Sequence, residues 1–101
     1  MMVIIIYRMD TQNDVIMAFS QVSEILSNHK FVVGIKQLKK AMRNGSVRQV
    51  FLACNADPAI TEPIAALCQQ NSVDCAWVKS MTDLGRACGI EVGAAAAAAV
   101  D

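Results

Sequence analysis

The chain has 101 residues, 54% hydrophobic and 18% charged, enough for one domain with its own core and too few for two. That balance excludes a disordered chain. Nine Lys and Arg against nine Asp and Glu leave no net charge, which excludes a polybasic protein held to nucleic acid by bulk charge alone.

Met1 to Tyr7 are apolar but stop at Arg8, too short a run for a membrane span and without the basic start or cleavage site of a signal peptide. Residues 1–13 read as an N-terminal extension, a short strand or a mobile tail with a polar connector, and 14–101 as the single domain. Asp14 is a candidate cap for a first helix whose inward residues are Val15, Ala18, Phe19, Val22, Ile25 and Leu26, ending near Ser27 and Asn28. Phe31 to Val33 is a short buried strand closed by Gly34. A second helix is expected from Ile35 to Arg43, with Ile35, Leu38, Ala41 and Met42 on one face and Lys36, Gln37, Lys39, Lys40 and Arg43 on the other. Asn44 and Gly45 stop it, since both tolerate the left-handed conformation at a helix end, and Ser46 reads as hairpin or cap chemistry.

Val47 to Cys54 become continuously apolar, as in a central strand covered on both faces. A third helix follows, capped by Asp57 or Thr61, and Pro63 argues for the later start because proline is tolerated in a first turn. Val73 to Val78 is another strand, and Ser80 and Asp83 form a capping signal for a fourth helix that runs through Cys88 to Gly89. Ala94 to Ala99 favour helix by propensity, but so short a run does not hold a helix alone, and the alternation of elements leaves a strand due here. The predicted architecture is a three-layer α/β/α sandwich around a four-stranded mixed sheet.

Cys54, Cys68, Cys75 and Cys88 each lie in apolar surroundings with no Cys-x-x-Cys spacing, and the single histidine, His29, is remote in sequence. They read as four small buried thiols, kept reduced in the cytoplasm, with no metal and no cofactor implied. Enzyme chemistry is not expected. There is no Gly-x-Ser-x-Gly elbow and no Gly-rich phosphate loop; His29 reads as a solvated or capping residue and Asp57 as a helix cap.

The charge map is more informative than its sum. Residues 30–48 hold six basic residues (Lys30, Lys36, Lys39, Lys40, Arg43, Arg48) and no acid, while the other 82 hold three basic and nine acidic residues. Lys36, Lys40 and Arg43 at i, i+4 and i+7 line one helix face, beside Gln37. A helix entered through Gly34 offers backbone N–H groups to a phosphate while its side chains reach base edges; an ordinary solvated face is the alternative reading.

Val33-Gly34-Ile35-Lys36-Gln37-Leu38-Lys39-Lys40-Ala41, the turn Asn55-Ala56-Asp57-Pro58, and Leu84-Gly85-Arg86-Ala87-Cys88-Gly89-Ile90-Glu91-Val92-Gly93-Ala94 resemble the kink-turn-binding ribosomal proteins of the L7Ae/L30e type, especially the small bacterial members. The similarity covers residues 15 to 100 in order and spacing. It implies an α/β/α sandwich that binds kink-turn RNA, ribosomal or riboswitch-type, in the cytoplasm and on or near the ribosome, with neither DNA nor membrane as a partner. Archaeal members carry Gly-x-Asn-Glu-x-x-Lys at the first site, where this chain has Gly34, Lys36, Gln37 and Lys40. The resemblance implies that Lys36, Gln37 and Lys40 read sheared G·A pairs, that Lys39 and Arg43 touch phosphates, and that Ile90, Glu91, Val92 and Gly93 cover the bulged nucleotides. The alternative is a protein-interaction module of the same fold that has lost RNA binding, in keeping with the neutral total charge and the altered Asn-Glu pair.

Overall fold

A computed structural model of the chain describes residues 16–101. The elements run β1 (Ile16–Met17), α1 (Phe19–Ser27), β2 (Lys30–Val33), α2 (Ile35–Arg43), β3 (Val47–Ala53), α3 (Pro58–Gln70), β4 (Asp74–Val78), α4 (Met81–Ala87) and β5 (Ala96–Val100). The expected Asp14 cap and the expectations for residues 1–13 lie outside the described residues.

The sheet order is β1-β4-β3-β5-β2. β1 and β3 are parallel to β4, and β5 is antiparallel to both β3 and β2. Four strands therefore run one way and only β5 runs against them, so the carboxyl ends of β1 to β4 gather at the edge where β5 begins. β3 alternates cleanly: Val50 and Leu52 face Leu38 and Met42 of α2 and Ile64 and Cys68 of α3, while Phe51 and Ala53 face Val22 and Leu26 of α1, Leu84 of α4 and Cys88 just after it. Two cores, one on each side of the sheet, make the three layers; the continuous apolar run of this strand follows from its being covered on both faces.

The alanine run is a strand, as the alternation of elements requires. Ala96 and Ala98 face one helix layer, Ala97 and Ala99 the other, and all four are buried. Helical propensity loses here because both neighbouring strands supply backbone partners along the whole segment. Where β3 meets the end of β5, the register shifts between Val47 and Gln49, a bulge that sets Arg48 on the surface beside Asp101 at 3.0 Å.

Several expectations are corrected. The sheet has five strands rather than four, because Ile16 and Met17, expected within the first helix, pair with Trp77 and Val78 at the open edge of β4. Ala18 is extended, and α1 starts only at Phe19, with the Gln21 side chain accepting the Ala18 N–H at 3.1 Å. α3 begins at Pro58 and runs through Pro63. Asp57 accepts the Ala59 N–H at 2.9 Å and Pro58 occupies the first helical position, a start strong enough to outweigh the one hydrogen bond that Pro63 cannot donate. Of the four cysteines, Cys68 and Cys88 are buried and Cys75 is half-buried, but Cys54 is exposed just beyond β3, where the strand has left the cover of the helices. Burial pushes the Cys88 thiol above its ordinary range. The neighbouring Cys68 thiol, together with burial, pushes the Cys75 thiol up.

Candidate nucleic-acid interface

β2 ends at Val33, paired with Ala97, and the Gly34 N–H continues the ladder to the Ala96 carbonyl at 2.9 Å. Gly34 then takes φ +99° and ψ 155°, a region that only glycine occupies readily, and this turn delivers the chain into α2. The far end closes as Asn44 and Gly45 predict. Gly45, at φ +71°, donates to the Met42 carbonyl at 3.1 Å, and Ser46 N–H donates to Ala41 at 3.2 Å, a Schellman closure reinforced by the Ser46 hydroxyl.

α2 buries Leu38, Ala41 and Met42 and exposes Lys36, Gln37, Lys39, Lys40 and Arg43. Its first turn has neither a side-chain cap nor an acidic residue. The positive end of the helix dipole thus carries a lysine, an arrangement that opposes helix stability by about 0.3–1 kcal/mol and favours an anion in solution. Among the described residues the ion pairs are Arg48 with Asp101 and Arg86 with Asp83, so no acid sits within salt-bridge distance of the four cations of α2. These cations divide between two flanks. Lys36 and Lys40, one turn apart, share one line; the Arg43 side chain, expected on that line, turns instead toward α3 and with Lys39 lines a groove beside Met42, Leu67 and Asn71.

The second predicted segment follows α4. Ser80 caps this helix by accepting the Asp83 N–H at 3.1 Å, and Gly89 at φ +77° ends it. Ile90 N–H donates to the Gly85 carbonyl at 3.0 Å, and the Ile90 side chain packs partly against the core beside Leu84. Glu91 and Gly93 are exposed, and Val92 is 69% exposed, the most exposed large hydrophobic among the described residues. Val92 is thus the one strongly exposed apolar side chain of 90–93, on a backbone anchored by Ile90.

The two segments, remote in sequence, meet through the start of β5. Ala96 accepts from Gly34, and the neighbouring Ala95 carbonyl accepts the Ala53 N–H at 3.0 Å from the end of β3. The α2 N-terminus and the loop 90–93 thus lie on the one edge where the parallel strands end, the usual place for ligands on open α/β sheets. Two residues at this edge were not among the site residues expected from the sequence. Lys79 is exposed directly after β4, isolated from the other cations along the chain. Asn55 reads there as turn chemistry, yet its side chain accepts the Met81 N–H at 2.8 Å, a partner 26 positions away.

No helix among the described residues is long and apolar enough to cross a membrane, and no group of three or more His, Cys, Asp or Glu among them is placed to hold a metal. Residues 17–101 match the model of the Ribosomal protein L7Ae/L30e/S12e/Gadd45 family. An RNA-binding protein of Bacillus pumilus is 45% identical over 82 residues, covering 81% of this chain and 96% of that protein. RNA-binding protein YbxF of Geobacillus stearothermophilus is 40% identical over 75 residues, covering 74% of this chain and 92% of its own. Among solved structures, a 15.5kD RNA binding protein of Giardia lamblia superposes with a TM-score of 0.72 at 25% identity, covering 82% of this chain and 70% of that one. The small domain with its uncapped, lysine-bearing helix and the Val92 loop on the same edge belongs to the ribosomal protein L7Ae/L30e/S12e/Gadd45 family.

Proposed function

We propose that this chain binds structured RNA, and specifically a kink-turn, through the edge formed by the α2 N-terminus and the loop 90–93. The observation that carries the reading is the set of α2 cations without acidic partners, at an uncapped helix start, on the same edge as the projecting Val92. Lys36 and Lys40 donate to guanine O6 and N7, and the Gln37 carbonyl accepts from a guanine amino group. Gly34 lets the backbone approach, and the first N–H groups of α2 take a phosphate. Lys39 and Arg43, on the other flank, contact phosphates and add affinity without sequence information. Val92, with Ile90, Glu91 and Gly93, shields the extruded bulge nucleotides. The working unit is residues 14–101, acting in the cytoplasm on ribosomal or riboswitch-type RNA without catalysis.

Binding to a kink-turn RNA and to a straight duplex of equal length tests this reading. Kink-turn affinity is expected to exceed duplex affinity, and Lys36→Ala to remove about tenfold or more of that preference. Equal or absent binding to both RNAs, unchanged in Lys36→Ala, overturns it and leaves the protein-interaction module, to be sought as a stable partner in pull-downs.

A further inference from the structure

The loop that carries Val92 is held by backbone contacts to α4. Met81, the first residue of α4, accepts the Ala94 N–H at 3.0 Å through its carbonyl. A methyl group added to Gly93 would come within 3.1 Å of the Met81 Cβ, and one added to Gly85 would run into the Val92 carbonyl. The segment from Val92 to Ala94 therefore lies on α4 between Met81 and Gly85, with no side chain of its own as a spacer at Gly93. The β5 end of this loop is tied to β3 and Gly34 through the Ala95 and Ala96 carbonyls, while the height of Val92 and Gly93 depends on where Met81 sits relative to β3. One side-chain bond spans that junction: the carbonyl oxygen of Asn55, just past β3, accepts the Met81 N–H at 2.8 Å. Asn55 is exposed and Met81 N–H is one of the donors that a helix start leaves unpaired, so this bond orders the edge without belonging to either core.

We propose that Asn55 is a positioning residue for RNA recognition, acting through Met81 to hold the Val92 loop at the height where it meets an RNA seated on α2. The inference rests on the kink-turn reading above. Asn55 touches no base itself; its removal frees the α4 start, and with it Gly93 and Ala94, to shift relative to Gly34.

The experiment is a double-mutant cycle in kink-turn affinity with Asn55→Ala, Val92→Ala and both together, alongside Lys36→Ala and amide hydrogen exchange of the free proteins. Asn55→Ala is expected to weaken binding about threefold to tenfold. In the Val92→Ala background the same change is expected to have less than about a twofold effect, because the side chain whose placement it controls is gone. Exchange at Met81 and Ala94 should quicken in Asn55→Ala and stay protected in Asn55→Asp, which keeps an acceptor oxygen in place. A general loss of stability would instead weaken binding equally in both backgrounds. Unchanged affinity in Asn55→Ala, or an undiminished effect beside Val92→Ala, overturns the role of Asn55 while a loss in Lys36→Ala keeps the kink-turn reading. Wild-type protein that does not distinguish kink-turn from duplex overturns both.

Discussion

Gly34 and Gly85 are needed for opposite reasons. Gly34 has open space where a Cβ would be, but its φ of +99° strains any other residue. Gly34→Ala should destabilise the fold by about 1–3 kcal/mol in urea unfolding and weaken RNA binding with it. Gly85 has ordinary helical surroundings but no room, because the Val92 carbonyl sits against it. Gly85→Ala should therefore displace the loop and lower kink-turn affinity, visible as altered amide exchange at Ile90 and Val92, even though alanine is the better helix former. Cys88 shows a residue whose burial has a pH consequence. Burial raises its thiol in the folded state, so the folded protein keeps a proton that the unfolded chain loses above about pH 8.5. The stability contributed by the neutral thiol is present below that pH and is lost as pH rises through the folded value. Melting temperature should fall from pH 8 to pH 10 less steeply in Cys88→Ala than in wild type.

At the scale of elements, α2 and β5 set the working edge. The two flanks of α2 should separate in titrations: Lys36→Ala should lower discrimination between kink-turn and duplex. Lys39→Ala should weaken both RNAs alike and reduce the slope of log affinity against log salt by about 1. β5 is the close-packed element. Ala98 is buried between Val32 or Val50 neighbours on the sheet and the α2 and α3 layer, so Ala98→Leu should cost about 1–3 kcal/mol by overpacking, measured by urea unfolding, although leucine is more hydrophobic. Small side chains here let both helix layers approach the sheet, and the β2–β5 ladder carries on to the Gly34 turn on the Ala96 carbonyl.

For the whole molecule, zero net charge is the sum of two unlike regions, +6 over residues 30–48 and −6 over the rest. A net-acidic remainder with one cationic segment suits a single shape-selective contact rather than indiscriminate adhesion. The order of elements from α1 to β5, the bounds of α2, the Ser80 cap, the Gly45 stop and the strand character of the alanine run were legible in the sequence, because each rests on local patterning, capping chemistry or the alternation of elements. Asp57 was legible as a cap, though Pro63 misdirected the start of α3. What local pattern could not reveal was whatever depends on a partner far along the chain. Two residues, Ile16 and Met17, have no periodicity to read, and they form a strand only because β4 presents an open edge. The exposure of Cys54 follows from where the helices stop covering β3. The bond from Asn55 to Met81, the inward turn of Ile90 and the meeting of Gly34 with the loop before β5 were likewise decided by tertiary structure. The sequence by itself determined which residues could bear charge toward an RNA; only the packed sheet, by ending four strands at one edge and starting the fifth there, decided which of them share a surface.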